Sequence, residues 1–230
     1  MNCHITWIQA SKYIEGKKLI PKGIKNNYNI IKKLNNNINI KTWDNNDILN
    51  LIKTDYKEYL ELYNNIKDFR FISDLGRLLI LYKFGGIYID IDQKCYKSFK
   101  DFGINENTKL VVCRSVETDR VCNGFIYVKE PKNSFIKECI TEYVNMLKNN
   151  LNTSGCVAMN NVLNINIDNL DFVLLKERNI KKREECNCET TYNLNFYFFN
   201  NSDQKIMKSR YADYYRDKEL KDVKYLVDFE

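Results

Sequence analysis

Apolar and polar positions alternate in short runs along this chain, and longer stretches between them carry apolar residues at helical spacing. His4–Gln9 (HITWIQ) reads as a short buried strand, followed by a polar loop through Gly16. From Pro21 to Leu34, the residues Tyr28, Ile30, Ile31 and Leu34 roughly mark one helical face. Ile38, Ile40 and Thr42 then alternate with Asn39 and Lys41, which is the period of a strand. Asp44 or an adjoining Asn is placed to cap a helix over ILNLIK, and Thr54 to cap a further one reaching Asn64. Strand–helix–strand–helix at this spacing predicts a layered α/β fold with parallel pairing.

The segment Asp68–Cys95 has the clearest pattern. Phe71, Ile72, Leu75, Leu78, Leu79 and Tyr82 give a helix its apolar side, and Arg70, Asp74 and Arg77 share another face. Gly85-Gly86 ends the helix and IYIDID follows as a strand. KLVVCRSV and GFIYVK read as two more strands, and Pro131–Asn150 as an amphipathic helix. TSGCVAMNNVL reads as a loop leading into a helix, NLDFVLLKE and NLNFYFF as strands, and the chain from Asp203 as a charged helical tail. Lys181–Glu185 is a charge cluster expected in a solvated loop. With no internal repeat and no Gly/Ser/Pro-rich linker, residues 1–230 are expected to form one domain.

Composition narrows the function classes. At 230 residues, 44% hydrophobic and 13% aromatic, the chain can bury a core and is not a disordered sequence. No run approaches ~18 apolar residues, so no transmembrane segment is expected. The start, MNCHITWIQASKY, lacks the basic flank and apolar run of a signal peptide, which suggests a cytoplasmic or otherwise intracellular protein. The net charge of +6 is spread along the chain; it suits an anionic small substrate and gives no concentrated basic stripe for nucleic acid. The abundance of Asn, Lys, Ile and Tyr reflects an AT-rich coding bias. Eight Cys without an export signal read as reduced, mostly buried thiols. The pair Cys186-x-Cys188 lacks partners at zinc spacing, His4 being the only histidine. For the same lack of export, the sequons at Asn152 and Asn200 are read as accidents of composition.

Candidate chemistry sits on the Ile87–Asp92 strand. Ile87, Ile89 and Ile91 are expected to point into the core, and Tyr88, Asp90 and Asp92 to the other face. Two carboxylates at the end of a buried strand are costly without a cation to satisfy them. Oxygen ligands beside a diphosphate suit Mg²⁺ or Mn²⁺. The plainer alternative is that both Asp cap the following turn.

Ser73, Asp74 and Arg77 on the helix, then Gly85-Gly86, Tyr88, Asp90 and Asp92, follow the order S-D-x-x-R, an apolar run, and G-G-x-Y-x-D-x-D. In this the chain resembles the DXD sugar-binding region of the glycosyltransferase 32 family over about 20 residues. Ile20-Pro21-Lys22 and Trp43-Asp44 are similar to the family's opening, and Asn123-Gly124 and Thr153-Ser154-Gly155 to its later loops. The resemblance implies a GT-A-type fold, a nucleotide-binding α/β sandwich around a mixed, mainly parallel sheet. It also implies a retaining hexosyltransferase-like enzyme that takes a nucleotide-sugar donor, with a UDP-sugar the expected class, and Mn²⁺ or Mg²⁺. The acceptor (glycan, protein, lipid or small molecule) is left open.

Carried over residue by residue, the resemblance makes Asp92 a metal ligand that bridges the diphosphate. Asp90 contacts ribose or sugar and reaches the metal through water. Ser73 and Asp74 lie near nucleotide and sugar, and Arg77 holds a sugar hydroxyl or orients the Asp pair. Tyr88 either packs beside the nucleotide or is an ordinary strand tyrosine. Gly86, with Gly85, allows a tight turn and close backbone approach at the donor site. No nucleophile is evident, which leaves same-face attack as the implied route to retention. Relatives carry a late His in a Y-A-x-H-like stretch. Here Tyr211-Ala212-Asp213-Tyr214-Tyr215 stands there, so Asp213, or else Asn201 or Ser202, is the candidate third metal ligand. Two alternatives remain: a catalytically silent nucleotide-sugar-binding or assembly protein, and a DxD phosphotransferase, whose motif normally lies nearer the start of the domain.

Overall fold

Two apolar clusters lie on opposite faces of one large sheet, and the alternation of side chains along each strand supplies both. In the computed structural model the described residues are 1–6, 8, 19–115, 120–149, 154–166, 171–179, 196–208 and 226–228. Ile87 and Ile89 enter one cluster and Tyr88 the other; Val111 and Cys113 oppose Leu110 and Val112 in the same way, and Phe125 and Tyr127 oppose Ile126 and Val128. Helices α2 (Asn45–Asp55), α4 (Phe69–Phe84), α5 (Ser134–Lys148) and α6 (Gly155–Asn166) cover the Tyr88 face. Ile31 of α1 (Lys22–Leu34) and Phe99 and Phe102 of a 3-10 turn cover the other. The result is a three-layer α/β sandwich.

The nine strands lie in the order β3-β1-β4-β7-β6-β8-β9-β10-β5. These are β1 (Asn2–Thr6), β3 (Asn39–Trp43), β4 (Gly86–Ile89), β5 (Lys94–Cys95), β6 (Leu110–Ser115), β7 (Val121–Val128), β8 (Val173–Asn179), β9 (Phe196–Phe199) and β10 (Lys205–Lys208). A small second sheet pairs β2 (Leu19–Pro21) with β11 (Leu226–Asp228). The mixed sheet is as expected, but it is not mainly parallel. Three neighbouring pairs, β1–β3, β1–β4 and β6–β8, are parallel, whereas five are antiparallel. Parallel pairing follows only where a helix crosses over, and the chain after α4 is joined mostly by direct antiparallel returns.

The sheet also curls back on itself. Strands β4 and β5 are third and ninth in the order, which on a flat sheet is roughly 29 Å at the usual strand spacing. The short link through Asp90–Gln93 spans only about 17 Å even when extended. The far edge therefore returns to the end of β4, and the turn that bridges them carries both Asp90 and Asp92.

Local signals explain the element ends. Asp44 caps α2 through a reciprocal box with Asp47. Thr54 does not start a new helix: it lies inside α2, where its hydroxyl donates to the Asn50 carbonyl at 2.9 Å. A 3-10 turn at Lys57–Tyr59 leads instead into the short α3 (Leu60–Asn65). Asp68 caps α4, accepting from the Arg70 amide. Gly85 and Gly86 close it at φ 60° and 86°, and a Cβ on Gly86 would collide with the Asn2 carbonyl of β1. Lys205–Lys208, expected inside a charged helical tail, is a strand because Ile206 and Met207 bury completely in the sheet core.

Candidate active site

Strands β1 and β4 are parallel neighbours, with His4 beside Tyr88, so Thr6 emerges level with Asp90 at their shared carboxyl end. Open α/β sheets place ligands at such ends. The strand stops at Ile89. Asp90 still donates its amide to the Gly124 carbonyl of β7 at 2.8 Å, and the Gln93 amide closes a turn onto the Asp90 carbonyl at 3.0 Å. Helix α4 lies across this end and delivers Ser73, Asp74 and Arg77.

Arg77 organises the centre. Its guanidinium lies 3.2 Å from Asp90 Oδ1 and 3.1 Å from Asp74 Oδ1. It also donates to the Asn123 carbonyl at 2.7 Å and stacks 4.6 Å above the Tyr88 ring. Tyr88 donates to Asp90 Oδ1 at 2.7 Å and shares a 2.7 Å hydrogen bond with Thr6, whose hydroxyl is 3.2 Å from Ser73 Oγ. Asp74 is fixed by the Asn123 amide at 2.8 Å and the Gly155 N–H at 2.7 Å. One side of Asp90 is thus held by two donors while its side chain stays 29% exposed.

Burial alone would lower the Arg77 pKa, but Asp90, Tyr88 and Asp74 outweigh it and hold the guanidinium firmly charged. Burial pushes the Asp74 carboxyl above its ordinary value, against the pull of Arg77, the Gly155 N–H and the Asn123 amide. Burial likewise raises the Tyr88 phenol, which stays a donor to Asp90. Counting formal charges, Asp74 and Asp90 against Arg77 leave one negative charge. Oxygen donors with that charge fit a hard divalent cation such as Mg²⁺ or Mn²⁺, which keeps water and phosphate in its remaining positions. Among the described residues no group of three His, Cys, Asp or Glu side chains converges as a metal site. Asp90, and the half-buried Asp92 two residues on, are the carboxylates at this end of β4 that would hold such a cation.

The structure brings Ser73, Asp74, Arg77, Tyr88 and Asp90 into one network, with Asp92 two residues on in the same turn. Arg77 is only 5% exposed and its guanidinium is turned to Asp90 and Asp74. Tyr88 is fully buried, and its hydroxyl donates to Asp90. Gly86 lies at the opposite end of β4 from Asp90 and meets β1, so it is not a donor contact. Asn201 and Ser202 form an exposed turn before β10, whose other end, Lys208, is the one paired beside Lys94. They are not brought to the carboxylates. Asp213 lies outside the described residues, as do Cys186 and Cys188.

Sequence reasoning missed Thr6, Asn27 and Gln93. Thr6 was findable from the rule that ligands gather at the carboxyl ends of parallel strands. Asn27 of α1 donates to the Ile91 and Gln93 carbonyls at 2.9 and 2.5 Å and so clamps the turn from the other face. Nothing in the local pattern marks it.

Comparison with known proteins matches residues 21–109 to the family described as a glycosyltransferase sugar-binding region containing a DXD motif. An uncharacterized glycosyltransferase of Acanthamoeba polyphaga mimivirus is 36% identical over 91 residues, which cover 39% of this chain and 36% of that protein. The chain thus spans only about a third of that relative's length. The solved structure of the PaToxG glycosyltransferase aligns with a TM-score of 0.54 at 18% identity, covering 74% of this chain and 70% of its own. In its DXD segment and in its GT-A-like mixed α/β fold, this chain is similar to glycosyltransferases.

Proposed function

We propose that the chain is a metal-dependent glycosyltransferase of the family 32 kind, taking a sugar from a nucleotide-sugar donor, with UDP-sugars as the donor class, and retaining configuration. The observation that carries this reading is Asp90: one oxygen is fixed by Arg77 and Tyr88 while the side chain stays partly open at the carboxyl ends of β1 and β4. A cation held at Asp90 and Asp92 would neutralise the diphosphate as it leaves, without proton transfer.

The chain's own residues set the geometry. Arg77 and Tyr88 fix the Asp90 carboxylate before any ligand arrives, so its orientation costs nothing during reaction. Ser73, half-buried beside it, presents a hydroxyl that suits a ribose or sugar hydroxyl, with the buried Thr6 bonded behind it. Asp74 ties strand β7, through Asn123, and the start of α6 to Arg77, so both of its oxygens are already engaged. Same-face attack is the proposed route to retention, as the family resemblance implies.

The test is a donor panel: hydrolysis and thermal shift with UDP-, GDP- and other nucleotide sugars, each with Mn²⁺, Mg²⁺ or EDTA. Metal-dependent stabilisation with slow release of one nucleoside diphosphate is expected. Asp92→Asn should lower that release on the order of a hundredfold or more while unfolding at a similar temperature. Near-normal release in both Asp90→Asn and Asp92→Asn would sink the metal site. Stabilisation without release would move the assignment to a catalytically silent nucleotide-sugar binder.

A further inference from the structure

The antiparallel strands β6 and β7 set Cys113 directly opposite Cys122. Opposed residues share a face, and both side chains pack in the cluster that Val111 and Phe125 line. Cα atoms paired in this way stand about 4.5–5.5 Å apart, within the roughly 4.4–6.8 Å that a disulfide bridges. Both thiols are free, Cys113 fully buried and Cys122 half-buried. Among the described residues no other two cysteines face each other in a strand register. Cys3 is paired with Ile40 and Ile87, Cys95 with Met207, and Cys139 and Cys156 lie on helices.

The pair borders the candidate active site. The β6–β7 ladder shifts register between Val111 and Cys113, so β7 carries extra residues just past Cys122. In that stretch the Asn123 carbonyl accepts from Arg77 at 2.7 Å and the Asn123 amide holds Asp74 at 2.8 Å. The Gly124 carbonyl accepts the Asp90 amide, also at 2.8 Å. Bulges beside active sites aim side chains, and this one begins at a cysteine. Burial above all, with Glu177 at the end of β8 adding to it, raises both thiols well above the ordinary range. They stay protonated and exchange slowly, so only a sustained oxidising shift engages them.

We infer that Cys113 and Cys122 are a reversible redox site that closes to a cross-strand disulfide and weakens the active site's hold on its ligand. The co-reactant is a small-molecule disulfide. Cys122, the reachable thiol, gives its proton to solvent and attacks one sulfur of that disulfide. A mixed disulfide forms, and the first small thiolate leaves and takes up a proton. Cys113 then loses its proton and attacks the Cys122 sulfur, which forms the protein S–S bond and releases the second small thiol. The two cysteines give up two electrons and two protons, and the small disulfide is reduced to two thiols. Closure brings the sulfurs to about 2.05 Å, drawing β7 toward β6 where Asn123 positions Arg77 and Asp74. The ligand affected rests on the transferase reading above; the bond itself does not.

The test incubates the whole chain for a day at pH 8.5 in reduced or oxidised glutathione, alkylates it under denaturing conditions and digests it without reductant. Peptide mass spectrometry should find Cys113 linked to Cys122 in the oxidised sample, and dithiothreitol should release the link. With Mn²⁺, the oxidised chain should bind the best nucleotide sugar of the donor panel roughly tenfold more weakly, the scale of loss that a small displacement of a positioning contact brings. Dithiothreitol should restore that binding. Cys122→Ser and Cys113→Ala should each bind equally in the two buffers, with circular dichroism confirming the fold. Absence of the link, or a dominant link between Cys122 and Cys156, would overturn the redox site. The link with unchanged binding would overturn its effect on the ligand. If the reduced wild type binds no nucleotide sugar, the transferase reading fails, and the linked peptide still decides the cysteine pair.

Discussion

Gly124 sets how closely Asp90 can lie against β7. A Cβ there would stand 2.6 Å from Gln93 Nε2 and 2.9 Å from Asp90 Oδ2. Both are ends of side chains, so Gly124→Ala should push them aside instead of unfolding the strand. The expected result is roughly a tenfold to hundredfold loss of turnover, since a displacement near 1 Å can cost that much. Stability should change by no more than about 1 kcal/mol, the common size of a point-mutation effect. Full activity with a shifted melting temperature would show Gly124 to be a packing residue only. Asn27→Ala should act from the other side: it removes two hydrogen bonds to buried carbonyls, a loss of about 2 kcal/mol. It should also raise the Mn²⁺ concentration needed for half-maximal rate, which a loss of stability alone would not do. At this scale the S-D-x-x-R and D-x-D residues were legible in the sequence, but their division of labour was not. That Arg77 and Tyr88 lie beneath Asp90 rather than open to a ligand depends on how α4 seats against β4.

Strand β1 is tied to its neighbours through the chain's single histidine. His4 Nδ1 accepts the Trp43 indole N–H at 3.3 Å, so Nε2 carries the proton and donates to the Gly85 carbonyl at 3.1 Å. A second proton would turn Nδ1 toward another donor. Burial, with the Lys41 charge adding to it, lowers the His4 pKa to about 4, although the Gly85 carbonyl works the other way. Unfolded histidine titrates near ~6.5, so between there and about 4 the unfolded chain binds a proton that the native chain refuses. Stability should therefore be full above pH 6.5 and fall as the pH drops through this window, by about 3 kcal/mol in all. Urea unfolding at pH 7.5, 6 and 5 measures this, with His4→Gln showing the smaller slope. Equal slopes in the two proteins would remove His4 from the acid response. The elements with strong periodicity and caps, α2, α4 and α5, were readable from the pattern. Thr54 and the tail strand β10 were misread because tertiary burial of Ile206 and Met207, and back-bonding of a hydroxyl within a helix, are not local signals.

At the level of the whole molecule, long-range register decides what the pattern cannot. Arg178, Lys208 and Lys94, far apart in the chain, fall into one row only when β8, β9, β10 and β5 pair, and the mixed sheet becomes mostly antiparallel by the same late pairings. Burial of the cysteines, in contrast, follows the composition among the described residues. The six described thiols are free; Cys3, Cys95, Cys113 and Cys139 are buried and Cys122 and Cys156 partly so. Alkylation needs a thiolate that solvent can reach. Burial pushes Cys156 up to about 11 and raises Cys3, Cys95, Cys113, Cys122 and Cys139 as well. At pH 8 and without denaturant, iodoacetamide should therefore modify these six slowly, as followed by peptide mass spectrometry. Cys3, Cys95 and Cys113 line the core on one side of the sheet and Cys139 the other, so the four should become reactive together as urea unfolds the chain. Labelling of Cys139 well before Cys3 would show instead that α5 detaches from the sheet on its own, and that the two faces of the sandwich do not unfold as one unit.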